Sequence, residues 1–109
     1  MRTIPRQTIV DTVASMCMAA GRYLPGDVLE ALTKAEKNES LASARGILTQ
    51  LVDNAALSSK TGLPLCQDCG LGVFFVEVGE DVRVEGGTLR EAINAGMVQG
   101  YKDGYLRKS

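Results

Sequence analysis

The chain has 109 residues, 45% of them hydrophobic and 23% charged, with twelve basic residues against thirteen acidic ones and a net charge of -1. One ordinary globular domain is the expectation from that length and composition, and a near-neutral charge leaves no field to hold a phosphate backbone or an anionic membrane. Histidine is absent, which removes the usual general base, the usual zinc ligand and any Cys-His or Ser-His pair formed within the chain.

The opening Met1-Arg2-Thr3-Ile4-Pro5 lacks the apolar core of a signal peptide, and no stretch approaches the length of a membrane span, so a cytoplasmic location is expected. From Gln7 to Arg22, the apolar Val10, Val13, Cys17 and Ala20 recur at three- and four-residue steps and predict a helix, with Gly21 as its stop. Pro25 followed by Asp27 starts a second helix, whose stripe is Val28, Leu29, Leu32 and Ala35. After the polar run 36–40, Leu41, Ala44, Leu48, Leu51, Val52 and Ala55 give a third helix. Lys34, Glu36, Lys37 and Glu39 read as a solvated face, Met16 and Met18 as gap fillers or surface, and Arg45 and Asp53 flank the third helix's inner stripe.

The pattern changes after Ala56. Ser58 to Pro64 gathers turn-forming residues and reads as a loop. Val73 to Val78 is rich in β-branched and aromatic residues, and Gly79-Glu80-Asp81 separates it from Val82-Arg83-Val84, which predicts a β hairpin. Thr88 with Glu91 matches a capping box for a last helix carrying Leu89, Ala92, Ile93 and Gly96 on its inner face, weakened later by Gly100 and Gly104. The fold class expected is α+β, with an N-terminal three-helix segment, a short β hairpin and a C-terminal helix. Residues 101–109 carry no evident helix cap or polar tail, so residues 1–109 are expected to form a partial domain of a larger fold.

Most of the chemistry is concentrated in Pro64-Leu65-Cys66-Gln67-Asp68-Cys69-Gly70, where a thiol, an amide, a carboxylate and a second thiol sit between a rigid proline and a permissive glycine. This segment, followed by the apolar run to Val78-Gly79, resembles the cluster-binding segment of class I fumarate hydratases and the related tartrate dehydratase alpha subunits. The likeness extends upstream through Leu24-Pro25, Asp27-Val28 and Asn54-Ala55, and downstream to Gly100-Tyr101 and Leu106-Arg107-Lys108-Ser109.

The resemblance implies a hydro-lyase that hydrates or dehydrates a small dicarboxylic acid, fumarate or malate on one side of the family and tartrate on the other. It also implies a [4Fe-4S] cluster held by three cysteines, of which Cys66 matches the first. Gln67 and Asp68 match substrate-site positions, with Asp68 suited to proton transfer, and Arg107 matches an arginine that clamps a substrate carboxylate. The family's other two cluster cysteines fall beyond residue 109. The cluster is therefore expected in the complete enzyme and not in the isolated chain, which should be inactive alone.

The partners implied are the remainder of the alpha subunit, a beta subunit or domain, and a dicarboxylate substrate, with a homo-oligomer also open. Cys69 stands where the family has threonine and reads first as a bystander thiol, while Cys17, on an apolar stripe, reads as a packed residue rather than a third ligand. Two readings of other classes stay open: a non-catalytic assembly module, and a small Cys-x-x-Cys thiol redox or metal-binding protein using Cys66 and Cys69.

Overall fold

The computed structural model describes residues 1–66 and 70–108. The element order is β1 (Arg2–Pro5), α1 (Arg6–Arg22), α2 (Gly26–Asn38), α3 (Ala42–Thr61), β2 (Val82–Glu85) and α4 (Leu89–Asp103), an α+β arrangement. No described helix is long and apolar enough to cross a membrane. The chain divides into two compact units, Met1–Met18 with Asp68–Ser109, and Ala19–Gln67.

In the first unit, β1 and β2 pair in parallel, with Arg2 opposite Val82 and Pro5 opposite Glu85. This corrects the expected hairpin. The turn over Gly79-Glu80-Asp81 is present, closed by the Val82 N–H donating to the Gly79 carbonyl at 3.2 Å. Among the described residues, however, Val73 to Val78 forms no strand. A β-rich composition supplies side chains suited to a sheet but not the neighbouring edge that a ladder requires, and the strand that pairs with β2 is Arg2–Pro5. Much of this run is exposed, Val73 at 67% and Phe75 at 97%.

The core of this unit lies where α1 and α4 touch. Val10, Val13 and Ala14 are buried on α1 and Ala92 on α4, which follows the stripe read from the sequence except that Ala20 is exposed. Gly96, Gly100 and Gly104 fall at four-residue steps along α4 and let it approach α1 closely. A Cβ built on Gly96 would lie 2.6 Å from the Val13 Cβ and 2.7 Å from the Val10 carbonyl oxygen, and one on Gly100 would lie 2.7 Å from the Ala14 carbonyl oxygen. These glycines are therefore contact surface, and the late weakening of α4 expected from them is offset by packing.

Both ends of α4 are closed. Thr88 accepts from the Glu91 N–H at 3.1 Å while the Glu91 carboxylate accepts from the Thr88 N–H at 3.2 Å, the expected capping box. At the other end, where no cap was evident in the sequence, the Leu106 N–H donates to the Tyr101 carbonyl at 3.0 Å and the Tyr105 N–H to the Lys102 carbonyl at 3.4 Å. That pair of bonds is a Schellman motif, with Tyr105 at φ 56 in the left-handed position glycine usually takes and Leu106 buried beyond it. A tyrosine at this site hid the cap from a reading that looks for glycine.

In the second unit, α2 and α3 pack against each other across a short connection. Arg45 ties that connection, its Nε donating to the Glu39 carbonyl at 2.9 Å, and the Glu39 carboxylate accepts from the Leu41 N–H at 3.1 Å. Two facing helices cover only part of an apolar stripe. Ala55 is buried and Leu32, Leu48 and Val52 are half-buried, but Val28, Leu29, Leu41 and Leu51 remain exposed. Helix α3 ends at Gly62, whose φ of 79 is left-handed and whose N–H donates to the Ser58 carbonyl at 2.9 Å.

Candidate functional site

The loop from Gly62 to Cys66 is built on two helix ends of the second unit. The last carbonyls of α1 have no partner within their own helix and can accept from elsewhere. The Gly21 carbonyl accepts from the Leu65 N–H at 2.7 Å, and the Arg22 carbonyl from the Ser58 hydroxyl at 3.0 Å. Ser58 is 3% exposed, and its hydroxyl also lies within hydrogen-bond distance of the Leu63 carbonyl. With one proton to donate, it serves one of these two acceptors at a time.

Gly62 does more than close α3. A Cβ there would meet the Arg22 guanidinium carbon at 3.3 Å, so the absence of a side chain lets the guanidinium lie over the turn. Arg22 Nη2 donates to the Ser59 carbonyl at 3.3 Å, the guanidinium carbon stands 4.9 Å from the Tyr23 ring centre, and Nε is buried with no hydrogen-bond partner among the described atoms. One step further along the loop, the Cys66 N–H donates to the Asn54 side-chain oxygen at 3.0 Å.

Cys66 is an exposed free thiol at the end of this anchored path. Thiolate sulfur is the soft donor that iron-sulfur clusters use, and an exposed sulfur on a fixed backbone can be reached by a cluster whose other ligands arrive from elsewhere. Among the described residues no three His, Cys, Asp or Glu side chains gather into a metal site, so a cluster on Cys66 needs ligands beyond them. Cys17 is half-buried, and burial pushes its thiol pKa up, which disfavours the thiolate a ligand must present. Its Cβ lies 3.0 Å from where a Cβ on Gly100 would stand, as suits a packing residue.

Gln67, Asp68 and Cys69 lie outside the described residues. Arg107 is exposed in the first unit, just past the Schellman motif that buries Leu106. The sequence places Ser58 and Gly62 in a turn-rich loop, whereas α3 runs on to Thr61 with Gly62 as its cap, and Asn54 enters there only through family likeness. The available signal was their spacing: Asn54, Ser58 and Gly62 fall at four-residue steps and so share one face of α3 beside the buried Ala55.

Comparison with known proteins assigns the family. The model of the fumarate hydratase (Fumerase) family matches residues 10–109. The chain belongs to the fumarate hydratase family. Within it, a Methanocaldococcus jannaschii protein provisionally named as the alpha subunit of an L(+)-tartrate dehydratase is 35% identical over 74 residues, covering 68% of this chain and 26% of the relative. A Geobacillus stearothermophilus protein, provisionally named as a class I fumarate hydratase, is 26% identical over 102 residues, covering 93% of this chain and 20% of the relative. This fumarate hydratase family chain thus spans about a quarter and a fifth of the lengths of these two relatives.

Proposed function

We propose that these residues form the N-terminal part of an alpha-type hydro-lyase that reversibly adds water across the carbon-carbon double bond of a small dicarboxylic acid, fumarate or the unsaturated counterpart of tartrate. The observation that carries the reading is the exposed Cys66 thiol on a backbone tied to α1 and α3, in a chain matched to the family over residues 10–109. Cys66 would provide one thiolate to a [4Fe-4S] cluster. When bound, such a cluster supplies a Lewis-acid iron for a substrate carboxylate and hydroxyl.

Hydration joins the oxygen of water to one alkene carbon and a proton to the other, and dehydration reverses both. The Asp68 carboxyl suits the proton's movement, the Gln67 amide can hydrogen-bond a substrate carboxylate, and the Arg107 guanidinium matches the planar fork of a second carboxylate. The partners are further alpha-type sequence and a beta subunit or domain, in line with the alpha-subunit name carried by one relative. A cytoplasmic location suits an oxygen-sensitive cluster and reduced thiols. Alone, the chain should not catalyse the reaction, because an aligned site needs several groups fixed together.

A chimera in which this chain replaces the matched segment of the M. jannaschii relative, co-expressed with that protein's own partner and reconstituted anaerobically with iron and sulfide, tests the reading. Cluster absorption and hydro-lyase turnover are expected, and Cys66→Ser should lower both by more than about 100-fold. A Cys66→Ser chimera that keeps its cluster and rate would overturn the proposal.

An assembly role is favoured independently by the apolar run from Leu71 to Val78. With Leu71 at 89%, Val73 at 67% and Phe75 at 97% exposure, it presents the kind of surface that associates. Light scattering that returns a clean monomer at high concentration would count against it.

A further inference from the structure

We infer that Asn54 is a positioning residue for Cys66, acting through the Cys66 backbone amide; the functional weight of this rests on the hydro-lyase reading above. Two consecutive amides of the loop are tied to two different helices. The Leu65 N–H donates to the Gly21 carbonyl at the end of α1, and the Cys66 N–H donates to the Asn54 side-chain oxygen on α3. Because each peptide group is planar, fixing two in succession fixes the turn of the chain at the Leu65 Cα between them and holds the Cys66 Cα at the far end of the second plane. Four residues further along the same face of α3, Ser58 lies within reach of the Leu63 carbonyl. The face carrying Asn54 and Ser58 therefore guides the returning loop toward the exposed thiol.

The choice of asparagine favours this role over a merely local one. Asparagine is a poor residue for a helix interior, because its side chain competes for backbone hydrogen bonds. Here that side chain accepts from the loop instead of from its own helix. Alanine at this position would favour α3 and release the loop, so stability of the helix and anchorage of Cys66 should move in opposite directions. That separation is not expected of a residue present only to hold the fold.

Amide hydrogen exchange on the 109-residue chain reads the two effects apart. Asn54→Ala should speed exchange at the Cys66 amide about fivefold or more, while α3 amides are unchanged or slower. Asn54→Asp keeps an acceptor oxygen and should restore protection at Cys66. Unchanged Cys66 exchange in Asn54→Ala, or an equal rise throughout α3, would overturn the assignment. In the reconstituted chimera Asn54→Ala should retain Cys66 as a ligand yet yield several-fold less cluster absorption, and full absorption would refute the functional part. A chimera that forms no cluster even with Asn54 and Cys66 intact would refute the hydro-lyase reading, and the exchange data would still judge Asn54.

Discussion

Gly46 and Gly96 both lie inside long helices, α3 and α4, and from sequence alone they carry the same penalty against helix. Their surroundings are opposite. Nothing stands within 4 Å of a Cβ built on Gly46, whereas one built on Gly96 would meet the Val13 Cβ at 2.6 Å and the Val10 carbonyl at 2.7 Å. The difference runs through the two units. The first depends on close approach of backbones, and the second is a helical pair with open surface on which polar side chains are free to hold a loop. A glycine's meaning therefore comes from what the fold brings to it and not from its place in a helix.

The largest effect should come from filling the close contact. In Gly96→Ala the added methyl meets a backbone oxygen and a branched Cβ, neither of which can swing aside. The clash should outweigh the gain in helix propensity and destabilise the chain by about 2 kcal/mol, lowering Tm by about 10 °C in a thermal melt. An unchanged or raised Tm would show that α1 and α4 do not pack at that distance. Gly46→Ala should have the reverse sign and a smaller size, stabilising by about 0.5 to 1 kcal/mol through helix propensity alone. A loss there would mean that the α3 surface near Gly46 is covered.

The same contrast explains what the sequence made legible. The four helices follow local periodicity, and the Thr88–Glu91 box is a four-residue signal, so both could be read without knowing the fold. Strand β1 could not, because Arg2–Pro5 is short and its partner Val82–Glu85 is distant in sequence. The run at Val73–Val78 has strand composition but, among the described residues, no ladder. The left-handed cap at Tyr105 was hidden by residue type. At the site, the composition of the Pro64–Gly70 segment was plain from the sequence, and the structure leaves the Cys66 thiol exposed. The loop's anchors on Asn54, Ser58 and Gly21 depend on the chain running back along α3, which periodicity does not reveal.

The smallest effect concerns the thiol within the glycine-packed unit. Burial raises the Cys17 pKa, so the folded state favours the protonated thiol more strongly than the unfolded chain does. The stability this contributes is fully present below the ordinary thiol value, and it is lost as pH rises through the higher folded value. Urea melts of the native chain should therefore weaken more as pH rises above about 9 than those of Cys17→Ala, with the two slopes alike near pH 7. Comparing slopes against pH, rather than absolute stabilities, removes the packing cost of the substitution and leaves only the proton. Equal slopes would mean that the Cys17 sulfur is as well solvated in the folded state as in the unfolded chain, and that α1 and α4 do not shield it.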